Sequence, residues 1–280
     1  MNIIRHVNWV LMQNIDWVTF LLKLVLVPTF IGAVSLAGRR WGSTVSGWLI
    51  GLPFTSGPVA FFLALEQGSV FADKASEAIM LGIVSVFVFC LVYGWCAMRL
   101  RWLPSTLAGL IVFFVSTFLL EMETLPLAVG FVFALLILLT CLFLMPRVGS
   151  DRISPAHMRW ELPARMVSAT ALVFVITGLA QLLGPQLTGL LTPFPIYATT
   201  LAVFTHRSQG GEEAVKLLRG VIVGSVTFII FFLILSLTLV AWGLAASFLT
   251  AIGVSFLTHA TSLQLLRFRG RFPALLDRTS

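Results

Sequence analysis

The chain has 280 residues, of which 59% are hydrophobic and only 10% are charged, and its mean hydropathy is +1.02. A water-soluble core has no use for so much apolar surface, so this composition excludes an ordinary soluble domain and indicates a protein that lies in lipid. The net charge of +7 does not predict nucleic-acid binding, because the arginines fall between apolar runs, where they set membrane topology. These runs are about 20 residues long and do not alternate with polar residues, so we expect α-helices.

Nine membrane-spanning helices are predicted in chain order. Their approximate ranges are 15–37, 44–66, 75–98, 103–120, 125–145, 164–183, 186–206, 214–237 and 240–263. The boundary between the last two is the weakest, because neither a charge nor a strong helix breaker marks it. Positive residues follow the odd-numbered spans, whereas the other loops are acidic or uncharged. Because positive charge is retained in the cytoplasm, the N-terminus is predicted outside and the C-terminus inside.

The two halves of the chain are related by an internal repeat at an offset of 142 residues. The identical pairs are Gly42 and Gly184, Gly47 and Gly189, Leu49 and Leu191, Pro53 and Pro195, Ala60 and Ala202, Phe62 and Phe204, Gln67 and Gln209, and Gly68 and Gly210. With a short gap, Gly82 also aligns with Gly220. The match predicts a first four-helix repeat at 1–122, a linker helix and loop at 123–160, and a second four-helix repeat at 161–280.

A single linker helix between two four-helix units makes the second unit enter the membrane from the opposite side. The predicted fold is therefore an all-α membrane protein with a 4+1+4 arrangement of inverted repeats, a plan found in many secondary transporters. The alternative interpretation is an old duplication that was kept only for packing.

Prolines interrupt the second and seventh spans at matching places, in GLPFTSGP and LTPFPIYATT. Each proline removes a backbone donor, so both helices are predicted to be broken near the middle of the bilayer. A half-helix is expected to begin near Pro58, with Thr55 and Ser56 as caps, and another near Pro195, with Thr192 as its cap. Unpaired backbone groups are costly in lipid, so the breaks should face protein or a water-filled cavity.

Two half-helix N-termini that face one cavity favour an anion such as a carboxylate or a phosphate. The predicted substrate-binding residues are Lys23, Pro53, Thr55, Ser56, Gly57, Thr192, Pro195, Tyr197, Thr199 and Thr200. Gly57 is included because a side chain there would crowd a ligand or the opposite backbone. The alternative is a pair of proline kinks that pack together without a ligand.

Lys23 lies inside the first span, in FLLKLVLVP, and a charge at that depth is a candidate for function. Glu66, at the end of the second span, is its expected partner, although the lysine could instead extend to the membrane surface. No two carboxylates are expected to share a face of one span, and no Ser-His-Asp spacing is present. Catalysis, a metal site and a cofactor are therefore not predicted.

The segment LTGLLTPFPIYATTLAVFTHRSQG, followed by AVKLLRGVIVGSVTFIIFFLILSL, resembles the small four-helix inner-membrane proteins of the GlpM type. The match covers roughly residues 164–260, and the first half of the chain resembles the family only through the repeat. There, GLPFTSGP departs from the Phe-Pro pattern. The resemblance implies a bacterial inner membrane, and hence a periplasmic N-terminus, with a loose link to exopolysaccharide or glycerol metabolism.

The leading functional hypothesis is a secondary transporter or facilitator for a small anionic solute. The alternative is a non-transporting membrane component of envelope polysaccharide or lipid assembly. The predicted partners are the lipid bilayer and the solute, with a homodimer left open, and nucleic acid is not among them.

Overall fold

The computed structural model describes residue 17 and residues 19–29, 53, 55–148 and 161–276. This part of the chain contains eight helices and no strand. They are α1 (Thr19–Thr29), α2 (Ser56–Glu66), α3 (Ser69–Ala97), α4 (Trp102–Glu121), α5 (Leu127–Leu144), α6 (Glu161–Leu191), α7 (Ile196–Gln209) and α8 (Gly211–Leu276). The first part of the second predicted span and most of the loop after the fifth lie outside the described residues.

Five of these helices contain segments that are long and apolar enough to cross a membrane. The segments are Ser69–Ala97, Trp102–Glu121, Leu127–Leu144, Met166–Leu191 and Gly211–Thr258. Large apolar side chains such as Phe118 and Phe143 are exposed on α4 and α5, as expected for surfaces that contact lipid tails. The predicted all-helical, multi-pass membrane class is confirmed at this level, and the total of nine spans stays a prediction.

Five prolines lie at or near helix starts, where the missing N–H has no intrahelical partner to lose. Pro58 and Pro104 are third residues of their helices, Pro126 and Pro195 immediately precede theirs, and Pro185 follows the interruption in α6. The sequence therefore places its strongest helix breakers at boundaries.

Four glycines redirect the chain between helical segments, and all four share one backbone conformation. Gly68, Gly184, Gly210 and Gly243 have φ between 73° and 98° and ψ between 167° and 174°. Residues with a side chain almost never adopt this region. Gly184 and Gly243 interrupt α6 and α8, and Gly243 marks the boundary that was weakest in the sequence.

The centre of the fold is formed by α3 and the first part of α8. α3 packs against α2, α4, α5, α6 and α8, and most of its side chains are buried. Gly211, at the start of α8, lies against Ala97, at the end of α3, whereas Ser236 contacts Asp73 near the start of α3. The two helices therefore run antiparallel.

Candidate functional site

The second predicted break is present as a non-helical segment between α6 and α7. α6 ends at Leu191 and α7 begins at Ile196. Within the segment, the Phe194 N–H donates to the Leu191 carbonyl at 3.0 Å, and the Ile196 N–H donates to the Phe194 carbonyl at 2.7 Å. The prolines of LTPFPIYATT thus interrupt the helix where the sequence predicted.

The first break is described from Pro53 onward, and α2 begins at Ser56, two residues before the predicted Pro58. The Gly57 N–H donates to the Pro53 carbonyl at 2.7 Å, and the Val59 N–H donates to the Thr55 carbonyl at 3.3 Å. This half-helix is therefore closed by backbone hydrogen bonds in its first turn.

The predicted side-chain caps are wrong. Thr55 has helical torsion angles (φ −93°, ψ −48°) and makes no capping hydrogen bond, because a capping residue needs an extended backbone to direct its side chain at the first-turn amides. The Thr192 hydroxyl donates to the Thr188 carbonyl at 2.7 Å, inside the preceding helix. Pro195 takes the capping position of α7, and a proline side chain has no acceptor to offer.

Both half-helices carry a buried hydroxyl without a partner in the first turn. Ser56 is 1% exposed, and among the described residues its Oγ has no hydrogen-bond partner. The Oγ1 of Thr199 is likewise buried and unpartnered within the described structure. The neighbouring Thr200 differs, since its hydroxyl donates to the Ile196 carbonyl at 2.7 Å. The side chain of Tyr197, also predicted to bind substrate, lies outside the described part.

A methyl group at Gly57 would have room among the residues around it, and the prediction that a side chain there would crowd a ligand stays a prediction. A Cβ at Gly57 would lie 4.0 Å from the ring of Phe231 and 4.0 Å from Pro53, which is ordinary contact. Near the second break, close approaches occur at two other glycines, Gly82 and Gly189, which the sequence did not single out as site residues. A Cβ at Gly82 would lie 2.7 Å from the Leu190 carbonyl oxygen and 2.8 Å from Pro193.

Gly189, in α6, comes as close to α3 as Gly82 comes to α6. A Cβ at Gly189 would collide with the Ala75 carbonyl oxygen and would lie 2.5 Å from the Ala78 Cβ. Small residues allow membrane helices to approach closely. The second break is thus held against α3 by contacts that a larger side chain would prevent.

Lys23 is buried, with 6% of its surface exposed, and it contacts the C-terminal end of α2. Its Nζ lies 2.5 Å from Oε1 of Glu66 and 2.6 Å from Oγ1 of Thr177. The structure therefore pairs Lys23 with the predicted partner. Glu66 ends α2 ten residues after Ser56, which places the ion pair about 15 Å along the helix from the break. Lys23 and the half-helix start are separate sites.

Two carboxylates share one face of α3, contrary to prediction. The Ser236 hydroxyl lies 3.1 Å from Oδ1 of Asp73 and 3.4 Å from Oε1 of Glu77. The sequence placed the start of this span at residue 75, which left Asp73 in a loop, but the helix begins at Ser69. Aspartate and glutamate four residues apart in a helix lie on the same face.

The unpartnered hydroxyls of Ser56 and Thr199 can each donate a hydrogen bond to a carboxylate or phosphate oxygen. The amides of Gly57, Val59, Ile196 and Thr199 already donate to carbonyls of the chain. Among the residues that the structure describes, no group of three or more His, Cys, Asp or Glu side chains could hold a metal ion. Comparison of this chain with protein-family models, curated proteins and solved structures found no match.

Proposed function

We propose that this chain is a bacterial inner-membrane secondary transporter or facilitator for a small anionic solute, which binds at the starts of α2 and α7. The observation that carries the proposal is the pair of buried, unpartnered hydroxyls of Ser56 and Thr199. Buried polar groups are nearly always hydrogen-bonded, and an unpaired one costs about 1–3 kcal/mol. A ligand oxygen that accepted a hydrogen bond from either hydroxyl would offset this cost.

The backbone at both half-helix starts favours negative charge. The helix dipole places about half a positive charge at this end of each half-helix. This partial charge attracts a carboxylate or a phosphate and repels a cation. The proposed substrate class is therefore a small organic or inorganic anion.

Matching backbone geometry supports the inverted repeat, which is part of this proposal. The Gly57 N–H donates to the Pro53 carbonyl at 2.7 Å, and the Thr199 N–H donates to the Pro195 carbonyl at 2.8 Å. The two donors and the two acceptors are each 142 positions apart. These bonds join equivalent residues of the two repeats, and both have the ordinary i to i−4 spacing of an α-helix.

Reciprocal contacts between α3 and α8 are compatible with a two-fold relation between the repeats. A Cβ at Gly94 would lie 3.7 Å from Val215, and Asp73 contacts Ser236. Residue 236 lies 142 positions after 94, and residue 215 lies 142 positions after 73, so each contact is the image of the other. A two-fold axis would produce such reciprocity, and so does any antiparallel pair of helices, in which contacting residues have a constant sum of residue numbers. Because the offset of 142 also holds within α3, no gap is needed there. Gly82 then aligns with Gly224, and not with Gly220 as in the gapped alignment.

The remaining parts of the proposal come from the sequence. The arginine distribution supports a periplasmic N-terminus and a cytoplasmic C-terminus. The resemblance to the GlpM type supports the inner membrane, with the chain as a fused inverted duplication. A homodimer is compatible with the apolar side chains exposed on α4 and α5.

The first test is a ligand screen of the purified protein. A ligand that binds only the folded state raises the melting temperature by mass action, and the rise continues to grow as the ligand concentration exceeds Kd. Short monocarboxylates and dicarboxylates, inorganic phosphate and small phosphate esters form the panel. An anion that stabilises the protein is then tested for uptake into proteoliposomes. If no anion in the panel stabilises the protein, the proposed substrate class is wrong.

Variants at the two hydroxyls separate binding from folding. Ser56→Ala and Thr199→Val remove groups that stabilise nothing in the unliganded protein, so both should melt near the parent temperature and lose the ligand-induced rise. Thr140→Val is the matched control, because Thr140 is exposed on α5 and its hydroxyl donates only to Leu136 of its own helix. Ser56→Ala and Thr199→Val proteins that keep the full rise would contradict the proposed site.

A further inference from the structure

A second site surrounds the ammonium group of Lys23. Four groups from α2 and α6 form it: the Glu66 carboxylate, the Thr177 hydroxyl, and the rings of Phe62 and Phe174. The Lys23 Nζ lies 2.5 Å from the carboxylate and 2.6 Å from the hydroxyl. It lies 5.5 Å and 5.7 Å from the two ring centroids. We call these four groups the ammonium site.

Each group of the ammonium site presents negative charge or electron density to the centre. The Thr177 hydroxyl donates its own hydrogen to the Val173 carbonyl at 2.7 Å, so its oxygen is directed to accept from Lys23. An aromatic face within about 6 Å of a cation attracts it. The site is therefore complementary to a primary ammonium group and would disfavour an anion.

We propose that the ammonium site is a binding site for a small primary ammonium ion, which the chain fills with its own Lys23. The ammonium group of Lys23 differs from that of a free alkylammonium ion only in its covalent attachment to α1. Because Glu66 and Phe62 belong to α2 while Thr177 and Phe174 belong to α6, the bound ammonium holds three helices together. The amine-binding claim does not depend on the proposed transport function.

The tether can be removed and the ligand supplied separately. Lys23→Ala deletes three carbons and the ammonium nitrogen, which are the heavy atoms of propylammonium. The variant should melt about 3 to 12 °C below the parent, because it removes the ammonium group that pairs with the Glu66 carboxylate, whose side chain is 23% exposed. Added propylammonium should raise the melting temperature of Lys23→Ala and leave that of the parent unchanged.

Two other probes test which property of the ligand matters. Propan-1-ol has the same size without the charge, and propyltrimethylammonium has the charge without an N–H donor. Neither should rescue Lys23→Ala, because the site offers a carboxylate and a hydroxyl oxygen as acceptors at hydrogen-bond distance. Equal rescue by propan-1-ol would mean that propylammonium only fills space, and it would overturn the proposal.

Two variants complete the experiment. Lys23→Ala/Glu66→Gln lacks the carboxylate, so propylammonium should not raise its melting temperature. Lys74→Ala removes an exposed lysine of α3 and should show neither a lower melting temperature nor a response to amines. If Lys23→Ala does not accumulate, the double variant should accumulate, because it no longer contains the unpaired carboxylate. Amine rescue of the double variant, or failure of both variants to accumulate, would overturn the proposal.

Discussion

Replacement of Gly82 by alanine adds one methyl group where α3 meets the second break. The new Cβ would lie 2.7 Å from the Leu190 carbonyl oxygen, 3.0 Å from the Leu190 Cα and 2.8 Å from Pro193. All three neighbours belong to the backbone or to a proline ring, so none can rotate away. We therefore expect α3 and α6 to separate locally, or the segment from 192 to 195 to shift.

The size of the effect follows from these distances. Carbon and oxygen atoms in close contact are about 3.3 to 3.6 Å apart, and carbon atoms about 3.5 to 4.0 Å apart. The backbones must therefore separate by about 0.6 Å or more. Overpacking of this kind costs about 1–3 kcal/mol, and the rigidity of these neighbours favours the upper end. At about 2–4 °C per kcal/mol, Gly82→Ala should melt about 6 to 12 °C below the parent.

The buried thiols of the protein provide the assay. Cys90 and Cys141 are 0% and 3% exposed, so a maleimide dye should label them only as the protein unfolds. Cys96 is partly exposed and would label in the folded state, so the measurement uses a Cys96→Ala background. Dye fluorescence during heating in detergent then gives the melting temperature.

Gly220→Ala is the control for the change of residue type. A Cβ at Gly220, in α8, would have no atom within 4 Å, so this variant should melt at or slightly above the parent temperature. If Gly82→Ala melts at the same temperature as Gly220→Ala, α3 and the second break can accommodate a methyl group, and the overpacking argument is wrong.

Three further predictions test other contacts and the topology. Gly57→Ala should melt within about 2 °C of the parent, because its new methyl group has room. A much lower melting temperature would mean that a side chain at this position is crowded. Ser236→Ala should lower the free energy of unfolding by about 1–2 kcal/mol, because Asp73 and Glu77 lose the hydroxyl that donates to them. Ser116→Ala is the control, because it loses only hydrogen bonds within its own helix. Equal melting temperatures of the two variants would contradict this prediction. Reporter fusions at Glu123 and Ser280 should read periplasmic and cytoplasmic, and a periplasmic C-terminus would exclude the inverted repeat.

The sequence predicted correctly those features that depend only on the chemistry of single residues, namely the second break and the partner of Lys23. Prolines 193 and 195 located the second break, because a missing N–H interrupts a helix in any surroundings. The pairing of Lys23 with Glu66 followed from the high cost of a lone charge in lipid. Both inferences need only the residue type and its approximate depth.

Features that depend on neighbouring helices could not be predicted from the sequence. Nothing in the residues around Gly82 or Gly189 shows that these glycines meet another backbone, because that contact requires the relative placement of α3 and α6. The caps failed for a related reason, since Thr55 has a suitable side chain but helical torsion angles. Asp73 was misplaced because α3 begins directly after Gly68, at Ser69, which is six residues before the predicted start of the span.

The single-glycine connections limit how the helices can move. Between α7 and α8 only Gly210 is non-helical, and between α2 and α3 the equivalent residue is Gly68. A rotation of α7 relative to α8 must therefore be absorbed almost entirely by the two torsion angles of one residue. Such a joint restricts the two helices to a narrow set of directions, whereas a longer loop would let them move independently. A rotation of one half-helix would therefore also rotate the long helix that follows it, and residues far from the breaks would change position.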